Sequence, residues 1–401
     1  MQISKRKVAL DVILNMVASM VPIAVMQLMI YPLVLKETNS EEYGVMITAF
    51  SLLTVVSNTL GNALNNIRLL NQPKYKEQNI EGDFNILLLI ELVINTTIIM
   101  ITSKFMFKQI TLIDVVLIML IGILLNVYSY FYVVFRIALD YKAIVINNII
   151  LVVGYLLGFG AFLICEKWQL IYIVGYFFSI IYICRYKNLF KEKLIRTVMF
   201  RKVTVDTLWL LLSGIFNSLL NYADRIIIYP MIGGEAVTIY YIATLFGKII
   251  GMVVGPMNSV VLSYIAKIDK LSQKFLSYVL GITAFAGVIG YVICMSLGKF
   301  GIKILYTDYY EEVVRYLPIT TVTAMFMMAI SVVFPFVIKC CSMKWQVIID
   351  AISFVCYVVI GIVLYDVYGL MGFCIGVMIA FLTKFLMMLY LLFNKRQEHI
   401  K

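Results

Sequence analysis

The sequence predicts an all-α polytopic membrane protein, and three observations carry that fold class. Apolar residues (AVILMFWYC) make up 63% of the 401 positions and charged residues only 14%, with a mean hydropathy of +0.97. A soluble domain runs nearer half apolar and a quarter charged, so this chain has too little polar surface to cover a water-soluble body. The apolar residues come in runs of about twenty or more, the helical length that crosses a hydrocarbon core of about 30 Å. Lysine and arginine collect on alternate connections between those runs. Together these exclude a soluble enzyme, a nucleic-acid-binding domain and a disordered protein.

The runs predict about twelve transmembrane helices. The first, over 8–35, follows Lys5-Arg6-Lys7, is too long for a signal-peptide core and lacks a small-residue cleavage site. Lys36–Glu42 separates it from a second helix over 43–64. The polar stretch Arg68–Asp83 then leads to helices over 84–103 and 110–135. Helices over 143–165 and 168–186 follow, with only Glu166 and Lys167 to divide them. The basic segment Lys187–Lys202 precedes helices over 206–232 and 237–266. Beyond Lys267–Lys274 comes a helix over 275–298, and beyond Lys299–Arg315 come helices over 316–338, 345–365 and 369–393. The division that follows is a six-helix N-terminal lobe, 1–195, and a six-helix C-terminal lobe, 196–401.

Orientation follows from the basic residues. With the N-terminus placed in the cytoplasm, 23 of the 33 lysines and arginines fall on inside segments and 7 on outside ones, which puts both termini inside. The same bias explains the net charge of +11 without any nucleic acid. His399 is the single histidine, which excludes histidine-based metal or triad chemistry. The seven cysteines lie in or beside apolar runs without framework spacing and read as small hydrophobes, so neither disulfide, metal nor cofactor is expected.

An internal repeat supports the two-lobe reading. At an offset of 198, Ile30-Tyr31-Pro32-Leu33-Val34 falls on Ile228-Tyr229-Pro230-Met231-Ile232, and Tyr43 on Tyr241. Asn15 falls on Ser213 and Ser19 on Asn217. Six intervening helices make this a parallel repeat about an axis near the membrane normal.

Polar residues inside the membrane are costly, and mark either a watery cavity or interhelical hydrogen bonds. Ser213, Asn217, Asn221 and Asp224 share a helical face, as do Asp11, Asn15 and Ser19, with Gln27 two turns on. Asn58, Asn62, Asn65 and Asn66 form a further cluster. The ionisable residues deep in the runs are Glu91, Asp224, Arg225, Lys248 and Lys384. Similar depths allow an Asp224–Lys248 pair, which would leave Arg225 and Lys384 uncompensated. Such charges read either as ion pairs fixing helix register or as a cationic cavity for an anionic substrate. Prolines at or within helices, and Gly251, Gly255 and Pro256 together, suit a bundle that bends.

The stretch Asn221-Tyr-Ala-Asp224-Arg225, with its aliphatic run, Gly233-Gly234 turn and Glu235-Ala-Val-x-x-Tyr240, resembles helices seven and eight of bacterial polysaccharide exporters. Glu42-Tyr43-Gly44 resembles the corresponding turn of their first half. These are the Wzx-like O-antigen flippases, in the superfamily that also holds MATE exporters and the lipid II flippase. The resemblance implies two six-helix lobes around a central cavity in the bacterial inner membrane. It also implies that the substrate is an undecaprenyl-diphosphate-linked oligosaccharide, flipped between leaflets by alternating access for O-antigen or capsule assembly, beside polysaccharide polymerase machinery and membrane lipids. In that setting Arg225, Lys248 and Lys384 suit the diphosphate, and the Asn and Ser stripes the sugar hydroxyls.

Two other readings stay open. A cation-coupled multidrug exporter of the same fold would use Glu91 and Asp224. A membrane polymerase would need catalytic side chains on the outer loop 299–315, such as Asp308, Glu311, Glu312 and Arg315. No Walker-type loop or potassium-filter motif is present, and an enzyme is not expected.

Overall fold

A computed structural model describes residues 20–78, 80, 82–107, 110–265, 273–340 and 343–394. At Gln78, Ser213, Asn217, 250–265, 273–274 and parts of 338–347 it describes the backbone alone. Asn15 and Ser19 lie outside the described residues. No strand occurs among those described.

The helices follow the predicted order. They are α1 (Met20–Glu37), α2 (Ser40–Glu77), α3 (Asp83–Met106), α4 (Leu112–Ala138), α5 (Tyr141–Cys165) and α6 (Gln169–Tyr186). Then come α7 (Phe200–Ile232), α8 (Gly234–Ile265), α9 (Gln273–Leu305) and α10 (Leu317–Cys340). The final run Met343–Asn394 breaks at Gly369, whose φ of 60° and ψ of −147° no helix accommodates, giving α11 (343–368) and α12 (370–394). Among the described residues nine helices, with that last run counted once, are long and apolar enough to cross a bilayer. A tenth is α7, whose halves Phe200–Phe216 and Ser218–Ile232 meet at 51°.

Local chemistry sets the ends. The Asn39 side chain accepts from Glu42 N at 2.8 Å and caps α2, whose first turn also carries Glu41 and Glu42. Thr111 and Asp140 cap α4 and α5 in the same way. The narrow gap between α5 and α6 closes because Glu166 adopts a left-handed conformation, φ 56°, and stops α5. Two helices carry single-turn π segments, Met26–Ile30 in α1, just before Tyr31-Pro32, and Thr54–Asn58 in α2.

The second helix differs most from the sequence reading. It continues past 64 to Glu77, carrying Pro73 in its interior. An apolar window ends where side chains turn polar, but the backbone helix does not have to.

By packing the chain divides into two compact units, Met1–Val237 and Thr238–Lys401. This division falls later than the 195/196 lobe boundary, because α7 packs along α2 within the first unit. In that unit α5 and α6 touch backbone to backbone. A Cβ on Gly154 would lie 2.7 Å from Gly175 Cα, and one on Gly158 2.7 Å from Ile171 Cα. In the second unit α11 and α12 meet likewise at Gly361 and Gly376.

Candidate translocation site and membrane-embedded charges

In the first unit α7 presents Asp224 and Arg225, both buried. The Arg225 guanidinium donates to Ser51 Oγ of α2 at 3.1 Å and lies over the Tyr222 ring, 5.6 Å from its centroid. Asp224 Oδ1 accepts from the Arg225 backbone N–H at 3.0 Å. Tyrosines are packed in the same unit: Tyr31 and Tyr172 share a hydroxyl hydrogen bond of 2.8 Å, and Phe50 stacks on Tyr172 at 4.4 Å. Immediately after the Thr54–Asn58 segment, Thr59 Oγ1 bonds Ser218 of α7 at 2.9 Å. This part of α7 therefore carries a buried cation edged by hydroxyls and aromatic rings.

The other expected site residues divide. Asn221 is exposed on α7, and Ser213 and Asn217 have undescribed side chains. Gln27 sits half-buried in the α1 π segment, its Oε1 buried without a hydrogen-bond partner. Asn58 accepts from the exposed Asn62 at 2.9 Å and from Ser129 of α4 at 2.8 Å. Asn65 donates to Ser129 O at 2.7 Å and, like Asn66, accepts from Arg136. Three of these four asparagines thus tie α2 to α4. In the second unit Lys248 is half-buried in α8. Lys384, expected to be uncompensated, instead pairs with Asp350 at 2.8 Å. The two lie on successive helices that run back alongside each other after Gly369, a partner that apolar windows gave no means of matching.

Glu91 of α3 is buried, and neither carboxylate oxygen has a hydrogen-bond partner. One turn on, Asn95 accepts from Ser57 Oγ at 2.8 Å while its Nδ2 is unpartnered. Asn126 of α4, fully buried, has neither end of its amide partnered. Sequence reasoning singled out Glu91 but missed Ser57, Asn95 and Asn126; the four-residue spacing of Glu91 and Asn95 was the available signal.

The connection between α6 and α7 is strapped onto one end of the first unit. Arg68 of α2, buried, makes a two-pronged ion pair with Glu192, one contact of 2.9 Å, and also donates to Tyr130. Its guanidinium lies over the rings of Phe84 and Tyr130 at 5.2 and 5.7 Å. Asn85 donates to Leu189 O and Glu192 O, and Asp83 accepts from Thr197 N at 2.7 Å and from its hydroxyl. Gly82, at φ 124°, has no room for a side chain, since a Cβ would lie 2.6 Å from Ile195 O and Lys193 O.

The opposite end of this unit is closed by a glycine contact. A Cβ on Gly44 would lie 2.0 Å from Gly234 O, and Glu41 accepts from Gly234 N at 2.7 Å and Glu235 N at 3.1 Å, capping α8. Beside it a cavity of about 800 Å³ is lined by Glu41, Glu42, Asp114, Glu166, Lys167 and Tyr229. In the second unit a cavity of about 490 Å³ has an almost wholly apolar wall that includes Leu280, Gly287, Val288, Met325 and Phe326. The expected outer loop 299–315 is shorter than predicted, because α9 continues to Leu305; beyond it Asp308, Glu311 and Glu312 are exposed on short helical turns and Arg315 on the turn that follows.

Comparison with known proteins rests on structure. No family model matches the sequence, and no curated protein matches it. A structure of the lipid II flippase MurJ in an inward closed conformation superposes with a TM-score of 0.70, at 14% identity, over 96% of this chain and 86% of that one. An inward-facing MATE-family multidrug resistance transporter of the MOP superfamily gives 0.65 at 13% identity, over 88% and 90%. A MATE structure in a bent conformation gives 0.59 at 14% identity, over 98% and 97%. The chain is thus an all-α, multi-pass membrane protein with the fold shared by MATE transporters and the lipid II flippase.

Proposed function

We infer that the protein is a flippase for an undecaprenyl-diphosphate-linked oligosaccharide, moving repeat units across the bacterial inner membrane for O-antigen or capsule assembly. Arg225 carries the reading. A guanidinium buried in a membrane helix and bordered by a serine hydroxyl and a tyrosine ring is suited to a diphosphate and its first sugar. The apolar cavity of the second unit supports it, since a polyprenyl chain needs an apolar surface while its headgroup crosses. The six-helix lobes 1–195 and 196–401 would then be the parts that exchange access, with the basic connections and both termini on the cytoplasmic side. Release of the Glu41–Gly234 cap would accompany that exchange.

The test is a strain lacking the protein, probed on intact cells with a membrane-impermeant sugar-oxidising label. Lipid-linked repeat units should accumulate unlabelled on the inner leaflet. Wild type should restore labelling, Arg225→Ala should not, and Arg225→Lys should restore it in part. Full labelling with Arg225→Ala would refute the reading. A second reading, a cation-coupled exporter, draws on the buried, unpartnered Glu91 carboxylate; it calls for drug tolerance that rises on overexpression and falls with Glu91→Gln.

A further inference from the structure

The strap between α6 and α7 has two sides of opposite chemistry. Its inner side is the clamp described above. Leu189 and Met199 are buried, while Arg68 holds Glu192 and Asp83 holds Thr197. The residues between those anchors face outward. Phe190, Leu194 and Ile195 are each more than half exposed, and Val198 is 91% exposed. Lys187, Lys191, Lys193 and Arg196 are exposed among them, as are Arg201 and Lys202 in the first turn of α7. Glu192 is the one acid from Lys187 to Lys202, and Arg68 engages it on the inner side. The outer side thus presents six cations that no other acid of the segment balances, interleaved with four large apolar side chains.

This mixture narrows what the outer side can meet. Water suits the cations but not the apolar side chains, which gain by leaving it. Cations and apolar groups alternate within one or two residues. The surface they meet must therefore offer negative charge and hydrocarbon at nearly the same depth, as the headgroup and acyl boundary of a bilayer does. The position agrees. The strap joins the ends of two spanning helices, which sets it at the edge of the hydrocarbon. Tyr186, the last residue of α6, is exposed there, as interfacial tyrosines are. Beyond Arg201 and Lys202 the outward side runs on along α7, which exposes Val205, Leu208, Trp209 and Leu212 at helical spacing. A stripe of that kind faces acyl chains, and the strap is its charged continuation.

We propose that the outer side of the strap is a docking surface for the anionic phospholipid headgroups of the leaflet it borders. The lysines and arginines pair with headgroup phosphates while Leu194, Ile195 and Val198 enter the acyl boundary. Lipid then holds the strap from outside, as Arg68 holds it from inside. The proposal rests neither on the flippase reading nor on which leaflet the strap borders.

The full chain is reconstituted in nanodiscs of phosphatidylcholine, alone or with about one third phosphatidylglycerol, and amide hydrogen exchange is followed over 187–199. The Glu192 and Thr197 amides bond Leu189 O and Asp83, so they exchange when the strap opens. One cation held at an anionic surface is worth roughly fivefold, so exchange should be at least roughly fivefold slower in the anionic discs. The slowing should fade at high salt and in Lys191→Gln/Lys193→Gln/Arg196→Gln, which leaves the clamp residues in place. Leu194→Ser/Val198→Ser should speed exchange in both kinds of disc. Equal exchange of the wild type in the two kinds of disc would overturn the proposal and leave the outer side to an acidic protein. A slowing that survives in the triple variant would overturn it too. So would an equal slowing at the α5–α6 connection, which would mark an effect of the bilayer on the whole protein. If the triple variant does not fold, the salt series on the wild type decides, since a difference that salt does not change refutes the pairing.

Discussion

Replacing Glu192 with alanine should release the strap that runs from α6 to α7, and the size of the effect follows from the contacts. The substitution removes both prongs of the Arg68 pair and leaves a guanidinium whose side chain is 5% exposed. Removing one partner of a buried pair costs about 3–5 kcal/mol, because the other charge remains in place. Two features reduce that here. Glu192 is itself 15% exposed, and Arg68 keeps the Tyr130 hydroxyl and the Phe84 and Tyr130 rings. The Asn85 and Asp83 contacts to the strap also stay. About 2–3 kcal/mol remains, equivalent to a rise in local opening of roughly 30-fold to 150-fold. Lys191, Lys193 and Arg196 are exposed on the strap, so trypsin reads that opening directly. Where opening and closing outpace cleavage, the cutting rate follows the open population. Wild type and Glu192→Ala, digested in detergent at matched concentration, should differ by that factor at these sites and little elsewhere. Rates within twofold of each other would refute the claim that the ion pair holds the strap.

Two further outcomes test the packing. Gly44→Ala forces a Cβ to within 2.0 Å of Gly234 O and should lower the unfolding midpoint by the equivalent of about 1–3 kcal/mol, whereas Gly160→Ala, with nothing within 4 Å, should be neutral or slightly stabilising. Lys384→Met should destabilise by about 1–3 kcal/mol and Lys384→Met/Asp350→Leu should recover most of that loss with glycan export intact, as a structural pair requires; export lost in the stable double variant would return Lys384 to the substrate path.

The helices were legible because hydrocarbon leaves the chain few choices. Among the described residues each run long enough to span is a helix, and even the two-residue gap at Glu166 and Lys167 held, through a left-handed residue that composition does not display. Helix length beyond the apolar run was not legible, since α2 extends through asparagine, glutamine and lysine and is held there by tertiary contacts of the buried Arg68 and Tyr75. For polar residues the sequence located candidates but not partners. Asn58, Asn65 and Asn66 turned out to be bonded across to α4, and Lys384 to Asp350, because a partner is chosen by tertiary register. Ser57, Asn95 and Asn126 read singly as unremarkable membrane amides and hydroxyls.

The strap also fixes one end of α7. Its first turn is pinned through Thr197 to Asp83, and its last is held by Phe107 against Tyr229, 5.0 Å between ring centroids, and by the Glu41 carboxylate just beyond. Between these two held ends lies the 51° corner between Phe216 and Ser218. Thr59 and Ser51 grip the helix just past that corner, at Ser218 and Arg225. The bend and the aim of one buried charge are therefore held by the same neighbour, α2, which grips both Ser218 and Arg225.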